Sequence, residues 1–145
     1  MKKIYRLSLL FIIITSTNFI FAQSKVYDNL TMKSEILNME RNYSVYLPPD
    51  YDTSSRSYPV LYLLHGLGDD HTGWVQFGEV KKIADNSILN GDATPMIIIM
   101  PDANTGYVGY INIPSENWLY EDFFFDELMP HVESKYRIKS DKRFR

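Results

Sequence analysis

Apolar positions along this chain fall into distinct patterns, and each predicts a different element. Leu7 to Ile14 is an almost unbroken apolar run directly behind Met1-Lys2-Lys3-Ile4-Tyr5-Arg6. Arg41 to Leu47, RNYSVYL, alternates Tyr43, Val45 and Leu47 against Asn42, Ser44 and Tyr46. That is the two-residue period of a half-buried strand. Val26 to Leu37 mixes β-formers with polar residues, so the two stretches predict an antiparallel hairpin turning across Asn38-Met39. Val60–Leu64 and Met96–Met100 are continuous apolar runs, VLYLL and MIIIM, as strands covered on both faces of a parallel sheet are.

Between those runs the period changes. Val80, Ile83, Ala84 and Ile88 recur at three- and four-residue steps and predict a helix over Glu79–Leu89. Gly91 stands just past its end, where a left-handed capping residue is wanted. Strand, helix and strand make a βαβ unit, which crosses over right-handed. Pro48–Ser57 carries loop signals throughout. Pro101–Asn117 is a Gly-, Pro- and Asn-rich stretch of 17 residues, longer than a usual connection and of the kind that is often functional. A helix is then predicted over Tyr120–Tyr136, with Tyr120, Phe124, Leu128, Val132 and Tyr136 in an i, i+4 stripe widened by Phe123, Phe125 and Met129. Glu121 and Asp122 near its start and Lys135 and Arg137 near its end suit the helix dipole. So apolar a helix is expected to press on a larger body. The fold class is α/β: a leading antiparallel hairpin, then parallel strands with crossover helices, half of a doubly wound sheet.

Charge and composition refine this. The positive start, short apolar core and small residue at Ala22 describe a signal peptide over residues 1–22, with an uncleaved N-terminal anchor as the alternative. The apolar core falls short of the roughly 20 residues a spanning helix needs. Residues 23–145 would then form one secreted or periplasmic domain. It loses Lys2, Lys3 and Arg6 and keeps 12 basic against 18 acidic side chains, formally −6. That balance disfavours nucleic acid and anionic lipid, leaving a small or neutral partner. With no Cys and three His there is no disulfide framework and no structural zinc set, and no cofactor is expected.

The chemistry concentrates where the first apolar run ends, in His65-Gly66-Leu67-Gly68-Asp69-Asp70 with Trp74 beyond. Glycines let backbone approach a ligand closely, and in open α/β sheets ligands bind beyond the carboxyl ends of strands. Backbone N–H groups presented there can hold a developing oxyanion. A plain turn is the competing reading. His71 beside Asp69 and Asp70 has no recognised metal-ligand spacing. His131, inside the second helix, reads as structural, and His65 as acting through backbone and packing. Asp102, at the end of the second apolar run, reads as shaping its loop. Tyr107, Tyr110 and Trp118 either line a pocket for an aromatic or sugar group or are packing.

Three segments taken together, SVYLPPDYDTSSRSYPVLYLLHGLGDDHTGW, PMIIIMPDANTGY and WLYEDFFFDELMPHVESKYRIKSDKRFR, resemble the secreted esterase family of the esterase-D-like branch of the α/β-hydrolases. That family includes feruloyl and acetyl esterase domains, S-formylglutathione hydrolases and mycolyltransferases. The resemblance implies that the Leu67 N–H is one oxyanion donor, with Gly66 setting the loop geometry. It also implies a nucleophilic Ser in a G-x-S-x-G elbow, directly after the segment matching YRIKSDKRFR, with the Asp and His of the triad later still. No Ser here has Gly at both minus two and plus two. The resemblance therefore implies the N-terminal part of a serine esterase acting on small-molecule or polysaccharide-linked acyl esters, without the triad residues and inactive alone. The alternative is a non-catalytic secreted binding protein built on the half-sheet.

Overall fold

The computed structural model describes residues 23–103 and 109–145. The proposed signal peptide lies outside them. Strands β1 (Lys25–Ser34) and β2 (Met39–Leu47) form the leading hairpin. Their turn is Glu35–Asn38, with Ser34 opposite Met39 and Asn38 in the left-handed region at φ 52°. The turn is thus centred two residues earlier than the pattern places it. Asn tolerates that conformation better than most residues. A carboxylate from a distant helix holds it: Glu127 accepts from Ser34 Oγ at 2.5 Å and from the Glu35 and Ile36 N–H groups at 3.0 and 3.1 Å.

Strand β3 (Val60–Tyr62) is followed by a short helix α1 (Gly73–Gln76), helix α2 (Val80–Leu89) and strand β4 (Ile97–Pro101). The sheet order is β1-β2-β4-β3, with β3 parallel to β4 and β2 antiparallel to it. Helix α2 stops as its sequence predicts. Gly91 has φ 79°, its N–H donates to Ile88, and the Asp92 N–H reaches back to Ser87, the paired bonds of a Schellman end.

Strand β2 is not half-buried. Tyr43, Val45 and Leu47 join one core, with Val60, Ile97, Ile99, Tyr120, Phe123, Leu128 and Val132. Tyr46 faces the other way and joins a second core with Val80, Ile98 and Met100 under α2. Alternation marks a strand's two faces but does not say that one is wet. Here a helix covers each.

The stretch after β4 contains a two-stranded ladder, β5 (Asn112–Ile113) with β6 (Trp118–Leu119). The final helix is continuous but not regular. It runs as α3 (Tyr120–Asp122), a π-helical segment (Phe123–Leu128) and α4 (Met129–Lys135). The wider i→i+5 turn shows in the Met129 N–H bonding to Phe124. The buried positions are Tyr120, Phe123, Leu128, Met129 and Val132, with Phe124 and Tyr136 packed against the same core. Phe124 is half-buried and Phe125 is 57% exposed.

Strand β3 ends the sheet. Val60–Tyr62 pair with Ile97–Ile99 and the ladder continues through Pro59 O and the Leu63 N–H, so the alternate residues Val60 and Tyr62 turn their peptide groups to the free side. At the foot of that side the chain returns: Tyr58 forms an isolated parallel bridge with Ile138, through Tyr58 N–H to Arg137 O at 2.7 Å and Lys139 N–H to Tyr58 O at 2.8 Å.

Candidate active site

The loop leaving β3 is braced from below and from the side. The Trp74 indole N–H donates to Leu64 O at 2.9 Å, and its ring fills the space where a Cβ on Gly78 would come within 2.5 Å. The two acids are consumed in shaping the turn into α1. The Asp70 carboxylate accepts from the Thr72 N–H and hydroxyl, both at 2.7 Å, and these bonds hold it below the usual carboxylate range. The Asp69 carboxylate lies against Gly73, where an added Cβ would sit 1.9 Å from Oδ2. His71 is tied in through its carbonyl, which accepts from Ser44 Oγ at 2.8 Å. Among the described residues no group of His, Asp and Glu could hold a metal ion.

Gly68 is the left-handed residue of the loop, at φ 79°. Gly66 is not in that region and an added Cβ would meet nothing within 4 Å; its contribution is its carbonyl. Gly66 O accepts from the Asp69 N–H at 3.2 Å and lies 2.8 Å from His65 Nδ1. Leu67 is fully exposed. Among the described residues its N–H has no acceptor.

His65 is the pivot. The Ala103 N–H donates to its Nε2 at 2.9 Å. Tyr110 staples its main chain, accepting from the His65 N–H at 2.8 Å and donating to His65 O at 3.3 Å. Burial pushes the Tyr110 hydroxyl up to about 12, with Asp102 and Asp69 adding to this and the His65 bond opposing it, so Tyr110 stays neutral. Behind Ala103, the Asp102 carbonyl accepts from Arg41 Nη2 and, at 2.9 Å, from the Tyr120 hydroxyl. The Asp102 carboxylate stands 3.5 Å from Arg41 Nη2 and 3.8 Å from His65 Nε2.

Of the aromatic candidates, Tyr107 lies outside the described residues. Tyr110 braces the loop and also lines a cavity of about 300 Å³ with Leu64, Ile111, Glu121, Phe124 and Phe125. Trp118 is in the core, 2% exposed, with its indole N–H on Gly109 O at 3.1 Å, so its role among the described residues is packing. His131 packs edge-on to Tyr43, its Nε2 3.2 Å from the hydroxyl. Asp102 shapes its loop and does more, linking the hairpin to His65.

Arg41 escaped the sequence reading although its signal was there. It shares parity with Tyr43, Val45 and Leu47, which places a guanidinium on the core face. It is 3% exposed and lies 5.6 and 5.9 Å from the Trp118 and Tyr120 rings.

His131 yields a pH prediction. Burial, then the charge of Lys135, lowers its pKa below the ordinary 6.5. The unfolded chain then binds this proton first as pH falls, so stability present above about pH 6.5 is lost below it. His131→Gln is expected to flatten the fall of Tm as pH drops below about 6.5; thermal melts of the intact protein over a pH series check it.

The sheet order agrees with comparison to known proteins. Residues 34–144 match the family described as "Putative esterase". The chain belongs to this esterase family. The endo-1,4-beta-xylanase/feruloyl esterase of Xylanibacter ruminicola is 32% identical over 122 residues, 78% of this chain and 16% of that protein. Endo-1,4-beta-xylanase Y of Acetivibrio thermocellus is 34% identical over 101 residues, 69% of this chain and 9% of that protein. Among solved structures, a ferulic acid esterase superposes with a TM-score of 0.79 at 38% identity, covering 86% of this chain and 48% of the other. The ferulic acid esterase of Anaeromyces mucronatus, solved with ferulic acid, gives 0.66 at 25% identity, covering 88% and 48%. The chain therefore spans about half the length of these solved structures and a smaller part of the curated relatives. Its fold is the N-terminal half of an α/β-hydrolase sheet. Among the described residues no helix is long and apolar enough to cross a membrane.

Proposed function

We propose that these residues form the N-terminal part of an exported serine carboxylic-ester hydrolase acting on carbohydrate-linked acyl esters of the feruloyl or acetyl type. The observation that carries the reading is the Leu67 N–H, unpaired among the described residues and presented by a braced loop at the carboxyl end of β3. A strand continuing from the Tyr58–Ile138 bridge would run parallel to β3 along its free edge and emerge beside that loop. This is where a nucleophile elbow must stand to share a carbonyl oxygen with Leu67. The Ser Oγ adds to the ester carbonyl while a His takes its proton. The oxyanion forms against the Leu67 N–H and the N–H after the Ser. Collapse expels the alcohol, which takes the proton from the His, and water repeats the sequence to free the acid. The feruloyl esterase relatives support the acyl class, and the charged, apolar start of the chain supports export.

The test uses the intact protein. It should hydrolyse methyl ferulate or an aryl acetate, and a fluorophosphonate should label one Ser and stop turnover. Folded protein that binds feruloylated oligosaccharide but neither turns over nor labels would sink the hydrolase reading.

A further inference from the structure

A buried charge far from the loop in sequence has no role in the chemistry above. The Arg41 side chain is 4% exposed, and burying a charge is costly unless it is paired and hydrogen-bonded. Its partner fixes a place in the backbone: Arg41 Nη2 meets both the carbonyl and the carboxylate of Asp102. The Tyr120 hydroxyl donates to the same carbonyl, and the Asp102 N–H is held by Asn42 O at 3.1 Å. The next peptide N–H, that of Ala103, is thereby aimed at His65 Nε2.

That contact sets a proton. A ring nitrogen that accepts from an N–H carries no proton itself, so His65 is neutral with its proton on Nδ1. Nδ1 lies 2.8 Å from Gly66 O and donates to it. Gly66 C=O and Leu67 N–H belong to one planar trans peptide. Anchoring the oxygen therefore turns the N–H the opposite way, where it meets no acceptor among the described residues.

We propose that Arg41 is a positioning residue for the Leu67 N–H, acting through Asp102, Ala103 and His65. The leading hairpin is on this account part of the machinery that orients an oxyanion donor. What the N–H does there rests on the hydrolase reading above; how it is held does not.

The experiment is ¹⁵N NMR of the imidazoles in intact, histidine-labelled protein, with kinetics on methyl ferulate alongside. Wild type should show His65 as the neutral Nδ1–H tautomer. Arg41→Met, which keeps the bulk and removes the donors, should shift His65 toward the Nε2–H tautomer. It should lower kcat by up to about 100-fold with KM little changed. Tyr120→Phe removes the second donor to the same carbonyl with almost no change of shape, and should move His65 in the same direction. It decides the matter if Arg41→Met does not fold. A wild-type His65 carrying its proton on Nε2, or a His65 signal unmoved in a folded variant, overturns the proposal. Wild type without esterase activity but with the expected tautomer and shifts overturns the hydrolase reading and leaves the positioning intact.

Discussion

Leu67→Pro in the intact protein is expected to lower kcat for an activated ester by roughly 100- to 1,000-fold, about 3–4 kcal/mol, the effect of losing one oxyanion donor. Leu67→Ala should stay within a few-fold of wild type. The pair separates the backbone from the side chain. The Leu67 side chain is fully exposed and packs on nothing among the described residues, so trimming it removes no core. Proline removes the N–H and leaves the Gly66 carbonyl to its two donors. Because proline also restricts φ, each variant should be melted as well, and Tm should barely move. KM should change less than kcat, since the donor acts on charge that develops only in the transition state. Equal loss in both variants would point to a side-chain role, and activity unchanged in Leu67→Pro would remove Leu67 from the oxyanion site.

Much of this arrangement was legible in the residues, and the limits are physical. Met96–Met100 announced itself because a strand covered on both faces has no polar side to show, and Val60–Leu64 reads the same way although Leu61 is 42% exposed beside the free edge. Gly91 announced a helix end because few other residues take its φ of 79°. Strand β2 misled because alternation reports two different faces, not one wet and one dry. Tyr46 looked solvent-facing, yet its hydroxyl is spent on Asp85 at 2.8 Å beneath α2. The last helix and its stripe were placed, with Tyr120, Leu128 and Val132 buried and Phe124 and Tyr136 packed against the same core, but of the residues that widen it Phe125 is turned out. A π-helical segment widens one turn, and nothing in Phe123-Phe124-Phe125 says which of the three is left exposed. The loop was found through its glycines, but the glycine that needs its freedom is Gly68. What fixes the loop was the least legible. The ties from Arg41 to Asp102 and from Ala103 to His65 span 61 and 38 residues, and no local period records a contact of that length.

The second large effect concerns the free side of β3. Residues 23–145 produced alone are expected to aggregate, or to stay compact without a cooperative thermal transition and to bind a hydrophobic dye. The sheet ends on a parallel strand, which ordinarily lies inside a sheet, with a row of peptide groups open to pairing. Apolar surface accompanies that edge on both faces. On one, Leu61 and Ile83 are 42% and 57% exposed over a groove shared with Leu63, Trp74, Val80 and Met96. On the other, Phe124 and Phe125 border the cavity beside Tyr110, and Phe125 is 57% exposed. An edge of this kind flanked by such patches recruits a second copy when no strand of its own covers it. Calorimetry and dye binding on purified residues 23–145 check the expectation. A single sharp transition in monomeric material would show that the half-sheet is self-sufficient, and the free edge would then need no further strand to be stable.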